Sequence, residues 1–180
     1  AASDVYKRQV IRNELTLDEV LQRKQRKEHL QENLLRSIFA LAQEANQQLH
    51  LWLYGQKLYS GIVKSVQTYS FIWLDEHGEK EIPKLHVKAA SFHRYPVKLS
   101  ADTSLQREPI QRIEERYRIS NAELFSFVEK KSQLEIELHE GVTITGNMTW
   151  IGRYEVGLVN DQGNEISVLR HALQKMKVVE

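Results

Sequence analysis

Cysteine is absent from the 180 residues. Disulfides, thiolate metal sites and cysteine nucleophiles are thereby excluded, and a reducing compartment fits. Charge of one sign is also lacking: 25 Lys and Arg against 24 Asp and Glu leave a formal net charge of +1, too little for a general polyanion binder. No apolar run approaches the roughly 18 residues of a membrane span, and the pattern of a signal peptide does not occur. Proline is limited to Pro83, Pro96 and Pro109. Hydrophobic residues at 41% and charged residues at 27% are ordinary globular composition, so a cytoplasmic protein of one or two small domains is expected.

Metal and catalytic chemistry have little to work with. The seven histidines are scattered without a His-x-x-His pair. No carboxylate, serine or lysine stands at an interpretable spacing from His86 or His171. No metal, cofactor or catalytic residue is expected, and an enzyme ranks behind a binding protein.

What is present is a switch of period, made twice. Residues 1–9, "AASDVYKRQ", look like a translated sequencing-adapter remnant, which places the natural N-terminus elsewhere. In "LTLDEV", Thr16 and Glu19 form a capping box with Leu15 and Val20 as its staple. "ISNAEL" repeats the device with Ser120 and Glu123, Ile119 and Leu124. Helices should therefore start at Thr16 and Ser120. The first helical region continues through the stripe Leu30, Leu34, Leu35, Ile38, Phe39 and Ala42. Its C-terminal part should lie across the strands that follow. Its basic cluster, Arg23, Lys24, Arg26 and Lys27, reads as a solvated face offset by Glu28 and Glu32, with phosphate contact as the alternative.

After each helix the period drops to two. "LHLWL" and "LEIEL" alternate like half-buried strands. "GIVKSV", "YSFIWL" and "EKEIPKL" continue the first half; "VTITGNMTWI", "YEVGLV" and "NEISVL" continue the second. Pro83 assigns "EKEIPKL" to an edge, because proline cannot donate to a ladder. Met148 and Trp150 alternate on one strand and read as core. Adding 85 carries Leu49 to Leu134, Leu53 to Leu138, Gly61 to Gly146, Tyr69 to Tyr154, Gly78 to Gly163 and His86 to His171 without a gap. The chain thus divides into a charged helical segment (10–33), a first repeat (34–93), a linker with a short helix around "PIQRIEERYR" (94–118) and a second repeat (119–180).

A helix followed by five short, bent strands is the pattern of a small barrel. The stretch "LEIELHEGVTITGNMTWIGRYEVGLV", then "LRHAL", resembles the Sm-like RNA chaperones of the Hfq family. "LRHAL" is similar to that family's second motif, Tyr-Lys-His-Ala-Ile. Gly141 and Gly146 match the glycines of its first motif, whereas Glu140 stands in place of asparagine. The resemblance covers residues 120–179, and the first half is a more divergent relative. It implies a mainly β fold with N-terminal helices, in which two Sm-like (SH3-like small barrel) repeats each follow an α-helix. It implies binding of single-stranded, U-rich RNA in post-transcriptional regulation, with RNA chaperone activity in view. It further implies a homo-oligomer: three chains forming a pseudo-hexameric ring.

By the same resemblance Arg170 would meet phosphate or a base oxygen, His171 would hydrogen-bond base or ribose, and Tyr154 would stack. Stacking suits a single strand, whose bases offer open faces. Arg153 takes the place of a family glutamine. In the first repeat Tyr69, His86 and Lys84 are the corresponding candidates, but Leu85 stands where Arg170 does. Trp52 aligns with an aromatic of the family's opposite, adenine-binding face. Other readings stay open: a turn-holding His171, a Tyr154 in the core with its hydroxyl at the rim, and a Trp52 packed against a helix. A small-barrel protein-interaction module that binds no RNA is the competing class. Residues 49–98 hold seven Lys or Arg against four Asp or Glu, net +3, and residues 134–180 hold four against seven, net −3. Any RNA binding should then rest on local pockets, and contacts between unlike repeats are favoured.

Overall fold

The computed structural model describes residues 16–179; the adapter-like segment and the staple residue Leu15 lie outside them. The protein is mainly β, with three α-helices packed on a single antiparallel sheet. Both expected capping boxes form. Thr16 accepts from the Glu19 amide at the start of α1 (Leu17–Asn33), and Ser120 does the same with Glu123 for α3 (Asn121–Lys130). The long helical stripe does not run through as one element. It breaks at Leu34–Arg36, and Ser37 caps a separate α2 (Ile38–Ala45). The break lets the two segments serve different cores. Ile38, Phe39 and Ala42 of α2 are buried against the first half, whereas α1 buries no residue fully and touches the second half through Leu30 and His29. His29 Nε2 accepts from the Ile151 amide at 3.0 Å. Arg23 and Lys24 face solvent, as expected of a polar face.

The first half contributes β1 (Leu49–Leu53), β2 (Lys57–Val66), β3 (Ser70–Asp75), β4 (Gly78–Pro83) and β5 (Val87–Ser91). A connecting segment with β6 (Val97–Lys98) follows. The second half contributes β7 (Gln133–Leu138), β8 (Val142–Ile151), β9 (Glu155–Val159), β10 (Glu165–Leu169) and β11 (Leu173–Val178). The strand order is β11-β7-β8-β9-β10-β5-β1-β2-β3-β4, with β6 on β8. The two halves repeat one another in pairing. Leu49 faces Gly61 as Leu134 faces Gly146, and the ladder slips between Val63 and Ser65 as it does between Met148 and Trp150, 85 residues later. The repeated bend glycines have one cause: a Cβ at Gly61 would collide with the Leu74 carbonyl, and one at Gly146 with that of Val159.

Two small-barrel repeats, each an open set of five strands, were expected; the strands form one open, continuous sheet. Among the described residues no ladder joins β4 to β5 or β10 to β11. The reason lies in the connections. The 3₁₀ turns Lys84–His86 and Arg170–Ala172 send the chain onto β1 and β7 rather than back along the preceding strand. The outer edge of β5 is then taken by β10, through Ser167 opposite Ala90 and Val168 opposite Ala89. Within the described residues β4 ends the sheet, the edge expected from Pro83 at its last position. Two clusters fill the core, one per half, with Met148 in the second; Trp150 is also buried. Where a short helix was expected, the connecting segment forms a 3₁₀ turn, Ile113–Glu115, after an earlier one at Thr103–Leu105. No helix of the described residues is long and apolar enough to cross a membrane.

Candidate functional site

Arg153, Tyr154, Arg170 and His171, taken from distant points of the sequence, line one cleft of about 1000 Å³. The β8–β9 turn brings Arg153 and Tyr154, and the 3₁₀ turn after β10 brings Arg170 and His171. The Arg170 amide locks the two turns together by donating to the Tyr154 carbonyl at 2.8 Å. The N-terminus of α3 and residues 113–119 of the connecting segment form the far side. The Arg170 Nη1 donates to Asn121 Oδ1 at 3.0 Å and to the Gly152 carbonyl at 2.9 Å, which aims the guanidinium along the cleft. Tyr154 is 60% exposed, so the core alternative does not hold. The Arg153 guanidinium lies 5.3 Å from its ring centre and covers one face of the ring.

His171 does not stand free at a pore. Its Nε2 is 2.9 Å from the Val87 carbonyl, which can only accept, so this nitrogen carries the proton and ties the second half to β5 of the first. Burial, aided by the charge of Arg116, pushes its pKa down to about 4. At neutral pH it is an uncharged seam residue at the cleft's inner end. Its ring lies 6.4 Å from that of Tyr54, nearly parallel.

Behind it sits a buried polar node that joins the halves. The Tyr54 hydroxyl is 2.7 Å from His139 Nδ1, and Lys88 Nζ donates to Glu140 Oε1 at 2.8 Å with both side chains essentially inaccessible. Glu140 also accepts from the Gly55 amide at 3.0 Å and the Arg107 amide at 3.2 Å. Burial favours its neutral acid, but Lys88 and these two amides outweigh that and hold the pKa below the usual value. His139 is driven down to about 4 by burial and by the charges of Arg107 and Lys88. Glu140 holds the left-handed conformation, φ 66°, in the turn between β7 and β8.

Glu155, next to Tyr154, accepts from the Ile38 amide at 3.0 Å and so caps α2 from the other half. Burial raises its pKa to about 7.

The first-repeat candidates are not gathered in the same way. Tyr69 is 84% exposed and, like Lys84, lines neither this cleft nor the smaller one around Tyr54. Lys84 folds back to donate to the Thr68 carbonyl at 3.2 Å. His86 is exposed and borders the smaller cleft, about 500 Å³, beside Lys57 and Arg107. Trp52 is 7% exposed and belongs to the second half's core, not to a face open to RNA. Its strand lies between β5 and β2, and the side chain points into the junction of the halves. Sequence reasoning missed Asn121, Arg116 and Arg118 at the cleft, and Tyr54, Lys88 and Glu140 at the node. Only the arginine density of "RIEERYRIS" and the glutamate in place of asparagine hinted at any of them.

Among the described residues no three His, Asp or Glu side chains converge as a metal site would need. The chain matches no protein-family model and no curated protein.

Proposed function

We propose that the chain is a tandem Sm-like, Hfq-related protein that binds single-stranded, U-rich RNA in the cytoplasm and acts in post-transcriptional regulation. The observation that carries the reading is the cleft itself. An exposed aromatic with one face open, Tyr154, stands beside two guanidinium groups and an oriented imidazole, all at positions the resemblance assigned to RNA. A single strand needs this combination: a flat surface for the base, and cations for the phosphates. The common strand order of the two halves, and the β5–β10 seam between them, support the two-repeat reading.

The same reading extends to assembly. Among the described residues β4 and β11 are the unpaired ends of the sheet. Ala90 and Met176 are equivalent, since they pair with Leu51 and Ile136, 85 residues apart. Carrying Ser167↔Ala90 over by the repeat places Ile82 opposite Met176 of a second copy, and Glu81 opposite its Lys177. Three chains of 21.1 kDa would close such a ring of six repeats at about 63 kDa.

Fluorescence anisotropy with a labelled oligouridine tests the binding reading. Tyr154→Ala should leave the melting temperature unchanged and weaken binding by about 5- to 150-fold, the loss of one stacked base. If the wild-type protein purifies free of nucleic acid and binds no oligouridine, the protein-interaction class replaces this one.

A further inference from the structure

The segment between the two halves carries more than a linker needs. Residues 134–180 are net acidic, yet both of their arginines, Arg153 and Arg170, line the cleft, and the connecting segment adds Arg116 and Arg118 on the far side. Four arginines thus line one cleft of a repeat that is net negative. Two carboxylates oppose them at the cleft, Glu114 and Glu123, the latter held in place by the amide and hydroxyl of Ser120 in the capping box.

The segment is fastened rather than loose. Val97 and Lys98 pair with β8, Gln56 Nε2 donates to the Ser100 carbonyl at 3.0 Å, and the Arg107 amide donates to buried Glu140. Tyr117 and Ile119 pack against the second half's core. Arg116 is committed to the segment itself, since it donates to the carbonyls of Ile110 and Gln111 at 3.1 Å. Arg118 differs. It is exposed, its one side-chain hydrogen bond among the described residues is a long 3.4 Å contact to the Glu114 carbonyl, and the chain on either side of it is fixed by Tyr117 and by the α3 cap. An arginine with its backbone held and its guanidinium only weakly engaged, lining one cleft with an exposed aromatic and two further arginines, suits a phosphodiester: the planar fork matches two phosphate oxygens.

We infer that the connecting segment is the second wall of the cleft, and that Arg118 takes a backbone phosphate of the strand whose base lies on Tyr154. This rests on the RNA reading above and adds to it a binding residue from outside both repeats. The consequence is a cleft with one wall from the second repeat and the other from the connecting segment.

The test is a salt titration of oligouridine affinity on the full chain. Each phosphate contact on a single strand contributes about 0.7 to the slope of log K against log salt. Arg118→Gln should lower the slope by about 0.7 and weaken low-salt binding roughly three- to tenfold, while Arg118→Lys keeps the slope. Arg112→Gln is the control, an exposed arginine of the same segment that does not line the cleft. It should change neither quantity. If Arg118→Gln and Arg112→Gln give the same slope while Tyr154→Ala still loses affinity, the second wall is refuted and the RNA reading stands. If the wild-type protein shows no salt-dependent oligouridine binding, both fall together.

Discussion

His171→Ala separates a turn residue from a seam residue. On an exposed turn the change would cost less than about 0.5 kcal/mol. In this structure it removes the partner of the Val87 carbonyl, which belongs to a fully buried residue, and leaves a gap beside Tyr54. An unsatisfied buried acceptor costs about 1–3 kcal/mol, and the gap adds to it, so about 2–4 kcal/mol is expected from urea denaturation at pH 7.5. The cost must also depend on pH. With the folded pKa at about 4, below the ordinary 6.5, the unfolded chain takes up the proton first as pH falls. Wild-type stability from this group is therefore complete above about pH 6.5 and is lost on the way down to pH 4, by up to about 3 kcal/mol. The alanine variant has nothing to lose there, so the gap between the two proteins should narrow across that window. Glu155 pulls the other way: its raised pKa, about 7, makes the folded state bind the proton first and adds stability as pH falls from 7. That contribution and His139's are common to both proteins, and they cancel in the difference. A gap below 0.5 kcal/mol at pH 7.5 that does not vary with pH would refute the seam assignment.

The buried node should behave as a coupled ion pair. Lys88→Met leaves the Glu140 carboxylate buried without its countercharge and should cost about 3–5 kcal/mol, whereas Glu140→Gln in the same background should recover much of that loss; a double-mutant cycle without coupling would contradict the geometry. For assembly, light scattering should give about 63 kDa, and Lys177→Glu, at an exposed position, should dissociate the particle by placing a like charge opposite Glu81 of the second copy. A monomer at micromolar concentration, insensitive to salt, would mean that the two open edges do not meet.

The sequence by itself determined what is local or periodic. The capping boxes at Thr16 and Ser120 need only three residues of separation, and the alternations in "LHLWL" and "LEIEL" need only five. The repeat fixed more: an offset of 85 predicts equivalent glycines, and the ladder carries them with the same register and the same slip. Pro83 marked the edge because a missing N–H is a property of one residue. Tertiary structure decided whatever depends on a partner far along the chain. The helical stripe from Leu30 to Ala42 runs through its break without changing period; Ser37 is the one local cap signal there, and Glu155, 117 residues away, completes the cap. Trp52 alternates like a surface aromatic, and only the docking of the second half buries it. Lys88 and Glu140 look like two ordinary surface charges until the seam brings them to 2.8 Å in the interior. The cleft follows the same rule. Its motif, "LRHAL", was legible, but the role of His171 was set by a carbonyl in the other half, and the far wall by a segment that reads as linker. Periodicity records which face a residue turns inward; it carries no record of which distant surface that face, or the opposite one, will meet.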